Sequence, residues 1–550
     1  MFDYVIVGGG SAGCVLANRL SADRAHRVCL IEAGPADKSP LVRMPGGVLQ
    51  MLRSKIYNWQ FWTAPEPGCG ERRMCWPRGK TLGGSSAINA MVAIRGNAAD
   101  YDHWASLGNA GWAYKDVLPL FKAIENYEPG ASGALTPEER DYHGSGGPLN
   151  VAPRRYSSPL SEVFVQAAQQ AGHAPTADFN GAQQAGSGMY RTYQKGGERY
   201  SNAQAFLREA EQRPNLTIIT EAQATRVLFE GTTAVGVRYF KNGVYQDAIA
   251  AREVILAAGA VGSPHLLLVS GVGPAQELAR HDVELVHDLP GVGKNLQDHL
   301  DVLVCMLSRN HLPASFHPMS LWRNLLALFQ YIFFRKGELT SNVAEAGVFL
   351  KTRPQEPLPD LQMHFVPLVN THHGLNLTSL FWRYGYSILT CDLRPLSRGE
   401  ITLQDDDPLT PPRIQPRYLS QERDLERLVT AVKKAREIFA QPAFAPHNRV
   451  EFEPGPQVQT DEQIRGWVRQ HAESVYHPVG TCKMGSDTTA VVDERLRVRG
   501  LHHLRVVDAS IMPTLIGGNT NGPATMIGEK GARMILEDAV PVQQTLAAAA

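Results

Sequence analysis

The first thirteen residues constrain this chain more than any other stretch. An apolar run at 4–7 (YVIV) ends in Gly8-Gly9-Gly10-Ser11-Ala12-Gly13 and passes directly into a helical pattern carried by Val15, Leu16 and Leu20. That order reads as strand, tight turn and helix. A second apolar run, Val28–Ile31, stops at Glu32 and completes a βαβ opening, which implies a parallel sheet with helices on its faces. The glycines have separate duties: Gly8 permits the turn, Gly10 lets the backbone approach a pyrophosphate, and Gly13 lets the helix pack close to the strand. The helix start, with Ser11 and Ala12 in it, offers unpaired N–H groups and a positive dipole end to phosphates. Glu32 follows Gly13 by nineteen residues, where a carboxylate can accept hydrogen bonds from ribose hydroxyls. The fingerprint predicts a bound dinucleotide without saying which one.

A chain of 550 residues exceeds one ordinary hydrophobic core, so two domains or one large composite are expected. Short runs rich in branched residues recur at 216–220, 254–257 and 505–508. If they join the first sheet, the dinucleotide domain is discontinuous and another domain is inserted between its pieces. From about 310 to 460 the pattern changes: alternation at Leu361–Val366 and 386–393 predicts an antiparallel sheet with one exposed face. A helix should follow near Ser420, with Leu425, Leu428, Val432, Ala435 and Phe439 on one stripe. The expected fold class is α/β within an α+β composite. Residues 1–157, 198–310 and 462–540 are assigned to the dinucleotide domain, 158–197 and 311–461 to the substrate domain, and 541–550 to a flexible tail.

The charges balance, with 54 basic and 54 acidic residues, so no global field draws the chain to nucleic acid. Seven scattered cysteines without a CxxC pair suit a reducing compartment. No secretory pattern precedes the strand that starts at Asp3, and a cytoplasmic location is expected. The most apolar window, 325–334 (LLALFQYIFF), is about half the ~20 residues a spanning helix requires. Its ordinary reading is a partly buried helix with its stripe toward the core. Flanking Arg323, Arg335 and Lys336 supply the alternative, a helix lying in a membrane interface. His364 with His372-His373 lacks a suitably spaced carboxylate or thiolate, so no metal site is expected.

Residues 77–89 (PRGKTLGGSSAIN) are dense in glycine and small hydroxyls, as a backbone must be to pass close over a flat ring system. Together with 259–273 (GAVGSPHLLLVSGVG), this stretch resembles both signatures of the glucose-methanol-choline (GMC) oxidoreductase family. Residues 476–482 (YHPVGTC), 504–510 (LRVVDAS) and 518–528 (GNTNGPATMIG) match the same family in order and spacing, so the resemblance covers nearly the whole chain. Within the family the chain is most similar to the bacterial alcohol and choline dehydrogenase branch.

The resemblance implies FAD on a discontinuous Rossmann-like domain, with substrate under a separate sheet. It implies FAD contacts from Gly8, Gly10, Ser11, Ala12, Gly13, Glu32 and Ala33 in the first motif. The second contributes Arg78, Gly79, Gly83, Gly84, Asn89, Ala90, Met91 and Val92, and the remainder are Ala224, Asp508, Ala509, Thr520 and Asn521. Some members link the flavin covalently to a histidine just before the Asn89 position; here that residue is Ile88, which implies non-covalent FAD. Alcohol oxidation needs a base for the hydroxyl proton, and an imidazole with a free pKa of about 6.5 suits that task. By resemblance the base is His477, and Asn521, chosen over Asn519 for its spacing from Gly528, is its partner. Residues 321–334 and the lack of an evident carboxylate for a quaternary ammonium favour an aliphatic or aromatic primary alcohol. The resemblance further implies that electrons pass to a quinone or similar acceptor; peripheral membrane contact is the alternative raised by residues 321–334 and their basic flanks. An oxygen-using alcohol oxidase that makes hydrogen peroxide, or a choline dehydrogenase, are the alternatives.

Overall fold

The computed structural model describes residues 1–130, 133–369 and 377–539. His372, His373 and the expected tail at 541–550 lie outside the described residues. Strand Phe2–Val7 pairs in parallel with Val28–Ile31 on one side and with the end of Val244–Leu256 on the other. Leu216–Ile219 extends the sheet beyond Val28–Ile31, and Leu504–Val506 extends it beyond Val244–Leu256. These five strands, drawn from distant parts of the chain, form the parallel part of one seven-stranded sheet, which Thr233–Lys241 and Gln223–Glu230 continue antiparallel. Every residue of Val28–Ile31 is buried, as expected for a strand covered on both faces. Helices Ser11–Leu20 and Asn521–Asp538 pack against each other beside this sheet, and a Cβ on Gly528 would lie 2.8 Å from the Ala12 carbonyl oxygen.

The second sheet is antiparallel, with Asn448–Glu453, Leu300–Ser308, Gly385–Asp392, Leu361–Val366, Ala346–Leu350 and Gly186–Met189 in spatial order. Three features differ from expectation. Leu361–Val366 and Gly385–Asp392 are buried at every position, so the sheet has no solvent face there; one side carries helices Pro159–Gln170 and Glu422–Phe439, and residues of the other line the cavity described below. The 310 boundary also falls too late. Leu300–Ser308, placed in the first domain, pairs with Gly385–Asp392 from Asp301↔Cys391 to Leu307↔Gly385 and is a central strand of the second sheet. Glu473–Ser474 joins that strand as well, so the segment assigned at 462–540 touches the second sheet just before His477. The helix expected near Ser420 runs Glu422–Phe439 and buries Leu425, Leu428, Val432, Ala435 and Phe439.

The third difference is the apolar window. It forms helix Leu321–Phe334, but only Ala327 and Tyr331 are buried, while Trp322 is 81% and Phe333 66% exposed. The helix is partly buried, but its stripe is not turned as expected: the protein-facing side runs through Asn324, Ala327 and Tyr331, leaving the larger apolar residues outside. Among the described residues no helix is long and apolar enough to cross a membrane.

Candidate active site

The glycine turns form a cradle whose closeness can be measured by adding side chains to it. A Cβ on Gly8, which has φ +99°, would lie 2.5 Å from the Ala257 carbonyl oxygen, and one on Gly13 would lie 1.8 Å from that of Gly8. A Cβ on Gly84 would meet Gly10 Cα at 2.7 Å, so the two glycine-rich loops stack backbone on backbone. The Gly83 N–H donates to the Gly9 carbonyl at 2.7 Å. These loops open onto a cavity of about 410 Å³, within the range of ligand sites. All the expected FAD-contact residues line it except Gly13 and Gly83, which lie behind the surface and permit the close packing.

Glu32 ends at the cavity with both oxygens engaged: Oε2 accepts from the Gly9 N–H and Oε1 from the Gly34 N–H, each at 2.8 Å. Burial pushes its pKa up to about 7 against those donors. A carboxylate oxygen retains further lone pairs, which fits the ribose hydroxyls of a dinucleotide. Helix Asn521–Asp538 starts at the cavity wall, where Thr520, Asn521 and Ala524 contribute lining; its N–H groups and positive dipole end suit an anionic group there. Asp508 holds the start of a second helix: Oδ2 accepts from the Gly259 N–H at 2.9 Å and Oδ1 from the Ser510 N–H at 2.8 Å.

His477 lies where the two sheets meet. Tyr476 before it adopts φ +69°, and the turn delivers the His477 N–H to Asp298 Oδ1 at 2.7 Å and the Tyr476 carbonyl to Arg78 Nη2. Tyr418 and Ser474 donate to the other oxygen of Asp298, so the backbone around the imidazole is held by a fully buried carboxylate. The ring itself contacts Asn519 Nδ2 through Nε2 at 3.3 Å and His299 Nδ1 through its own Nδ1 at 3.0 Å. Burial depresses the His477 pKa well below the usual imidazole value, and the nearby His299, His364 and Arg78 push the same way. Burial likewise pushes His299 down to about 3 and His364 down to about 4. The ring is therefore neutral and has a lone pair to offer.

Which nitrogen carries that lone pair follows from a chain of hydrogen bonds anchored on the backbone. Tyr190 OH donates to the Met363 carbonyl at 2.9 Å, so it must accept from Gln362 Nε2 at 3.0 Å. The same amide donates to Asn519 Oδ1 at 3.1 Å. That fixes Asn519 Nδ2 toward His477, whose Nε2 must then be the acceptor and whose Nδ1–H faces His299. The arrangement presents a basic Nε2 beside an amide donor on the cavity wall, the pairing needed to take a hydroxyl proton while holding the hydroxyl oxygen.

Asn521, expected as the partner of His477, does not hold that place. It is the first residue of its helix, and its amide oxygen accepts from Ser11 Oγ at 2.7 Å, which ties the two cavity-facing helix starts together. Asn519, before the helix, reaches the imidazole instead. Motif spacing does not separate the two, because they lie two residues apart in the same short stretch. His299, Asp298, Gln362 and Tyr190 carry no motif of their own and were missed.

Profiles of the GMC oxidoreductase family match residues 2–301 and 395–528. The chain is 49% identical over 538 residues to an alcohol dehydrogenase [acceptor] of Pseudomonas putida, covering 98% of this chain and 96% of that one. It is 43% identical to the mitochondrial choline dehydrogenase of Mus musculus, covering 97% and 89% of the two chains. Among solved structures, pyridoxine 4-oxidase from Mesorbium loti superposes with a TM-score of 0.87 at 30% identity, over 98% of this chain and 99% of that one. A formate oxidase variant from Aspergillus oryzae RIB40, studied for its FAD modification, superposes with a TM-score of 0.90 at 25% identity over 98% of both chains. The paired glycine cradle, the buried Glu32 and the helix starts fit the dinucleotide of FAD, the cofactor of this family. The chain belongs to the GMC oxidoreductase family and is an FAD-dependent oxidoreductase.

Proposed function

We propose that this enzyme oxidises a primary alcohol to the aldehyde, with His477 Nε2 taking the hydroxyl proton and Asn519 Nδ2 donating to the alcohol oxygen. The observation that carries this reading is the ordered contact between those two nitrogens at 3.3 Å on the cavity wall. FAD, when bound, supplies the acceptor for the hydride that leaves the alcohol carbon. His477 Nδ1–H donates toward His299, which keeps Nε2 free to accept, and the buried setting keeps the ring neutral until the proton arrives. The FAD contacts named from the sequence, except Gly13 and Gly83, are proposed to touch the cofactor directly. Ile88 lines the cavity and is otherwise packed with Val42, Met51 and Ala87; a side chain without a nucleophile supports non-covalent FAD.

Leu49, Leu52, Val343, Val366 and Leu389 line the same cavity, which favours an alkyl or aryl chain on the substrate. Among the described residues the lining carboxylates are Glu32 and Asp508; both accept from backbone N–H groups of the cofactor cradle, which disfavours a quaternary ammonium substrate. The acceptor is proposed to be a quinone, in keeping with the acceptor-linked relative. A cytoplasmic site of action, against the inner face of the membrane, is supported by seven free, buried cysteines and by the exposed apolar helix. A series of 1-alcohols and choline, followed anaerobically by flavin bleaching, tests the substrate; the account expects rates that rise with chain length and little response to choline. Fast reoxidation by oxygen with stoichiometric peroxide, and none by a soluble quinone, would overturn the dehydrogenase reading.

A further inference from the structure

A surface helix ordinarily turns its apolar stripe inward, and Leu321–Phe334 does the reverse. Its inner side is polar or small: Asn324 Nδ2 donates to the Ser315 carbonyl at 3.0 Å, and the Arg323 guanidinium donates to the carbonyls of His311 and Pro313 at 2.6 and 2.8 Å. Trp322, Leu326, Phe329 and Phe333 point outward, each more than half exposed. A second short helix, Thr378–Trp382, presents Trp382 at 69% exposure and Phe381 at 47%. It is fastened to the chain entering the first helix, since the Phe316 N–H donates to the Leu380 carbonyl at 2.9 Å and the Phe316 and Phe381 rings lie 5.5 Å apart. Two separate segments thus form one apolar face rich in aromatic rings.

The edge of this face is basic. Leu321–Phe334 contains Arg323 and no acid, and Arg335, Lys336 and Arg383 follow the two helices. Glu338 lies 3.6 Å from Arg323, and Glu198 lies 2.9 Å from Arg335. Among the described residues no carboxylate pairs with Lys336 or Arg383. Aromatic and aliphatic side chains bordered by cations match the boundary between acyl chains and anionic headgroups. Two-fold pairing of the same patch would bring two copies of the basic edge together.

We propose that this face docks on an anionic lipid bilayer, with Leu321–Phe334 lying in the plane of the interface. At 14 residues the helix is too short to span, since spanning requires about 20. The docking element adjoins the cavity. The turn Glu338–Thr340 that follows it packs on Pro45–Gly47, where a Cβ on Gly46 would lie 3.3 Å from the Leu339 carbonyl oxygen, and Leu49 and Leu52 just beyond line the cavity wall. If the enzyme oxidises alcohols as proposed, an alcohol dissolved in the bilayer is the form of substrate nearest that wall. The docking itself does not depend on that reading.

The test is sedimentation of the FAD-loaded protein with vesicles of phosphatidylglycerol and phosphatidylethanolamine, compared with phosphatidylcholine alone, for wild type and Trp322→Ser/Phe333→Ser. Wild type is expected to sediment with the anionic vesicles and less with the neutral ones. The double variant should partition about a hundredfold more weakly, roughly tenfold for each ring withdrawn from the apolar region, with unchanged turnover of a short soluble alcohol using a soluble acceptor. Vesicles with brominated acyl chains should quench wild-type tryptophan emission, a readout that needs no variant. Wild type that stays in the supernatant without quenching, or a variant that binds as well as wild type, would overturn the proposal. A concentration-dependent dimer that the variant abolishes would also overturn it, by assigning the face to a second copy. None of these readings involves alcohol chemistry, so failure of the docking and failure of the proposed reaction are seen separately.

Discussion

Replacing Asn519 and Asn521 in turn separates two amides that lie two residues apart and perform different work. Asn519→Ala removes the donor that faces His477 Nε2 at 3.3 Å, and with it the group placed to hold the alcohol oxygen as negative charge develops there. Loss of one such preorganised donor costs about 10²–10³ in kcat, and because the interaction strengthens as the proton leaves, kcat should fall more than KM rises. Asn521→Ala removes a bond to Ser11 Oγ of 2.7 Å that joins two helix starts on the cofactor side. A neutral hydrogen bond is worth about 1 kcal/mol net, or roughly a fivefold weakening if all of it appears in FAD affinity, and kcat at saturating FAD should stay within about twofold. Steady-state kinetics at saturating FAD, with FAD titrated separately for each variant, read both effects. A hundredfold loss of kcat in Asn521→Ala with near-normal kcat in Asn519→Ala would refute the assignment.

Gln362→Leu should lower kcat about tenfold while leaving FAD bound, because Asn519 loses the partner that orients it; Gln362→Glu should recover less than half of the loss, and circular dichroism with a melting curve checks that both fold. The pH profile of kcat/KM should lack an acid limb near the ordinary imidazole value of about 6.5. A base with a depressed pKa remains unprotonated down to that lower value, so the limb moves to more acidic pH. For the FAD-free protein the sign at Glu32 is opposite. Its carboxyl holds a proton in the folded state up to about pH 7, whereas unfolded it releases it near 4.3. Stability therefore falls as pH rises through that window, by roughly 4 kcal/mol for this group. Denaturant titrations of wild type and Glu32→Gln at pH 5 and pH 8 should show a smaller drop in the variant.

The dinucleotide half was legible because its constraints are local. A glycine turn between strand and helix and a terminal acid are adjacent in sequence, and each is required by contact with a phosphate or ribose. Strand Val28–Ile31 and helix Glu422–Phe439 were equally readable, since their side-chain periods follow directly from burial. The errors lie where the decisive contact is distant. Leu300–Ser308 reads the same in either sheet, and its partner Gly385–Asp392 is remote. Leu321–Phe334 has an ordinary amphipathic pattern that does not reveal which side faces outward. Asn519 and Asn521 differ by two positions, and the chain from Met363 through Tyr190 and Gln362 that selects Asn519 crosses three segments with no shared motif.

Rapid mixing of the FAD-loaded enzyme with a 1-alcohol in the absence of oxygen bears most directly on the claim that His477 takes the hydroxyl proton at the flavin. Wild type should lose its yellow colour, and more slowly with the alcohol deuterated at the reacting carbon. His477→Ala, with its FAD content verified by absorbance, should bleach at least about a hundredfold more slowly. Bleaching of a fully loaded His477→Ala at the wild-type rate would contradict the account.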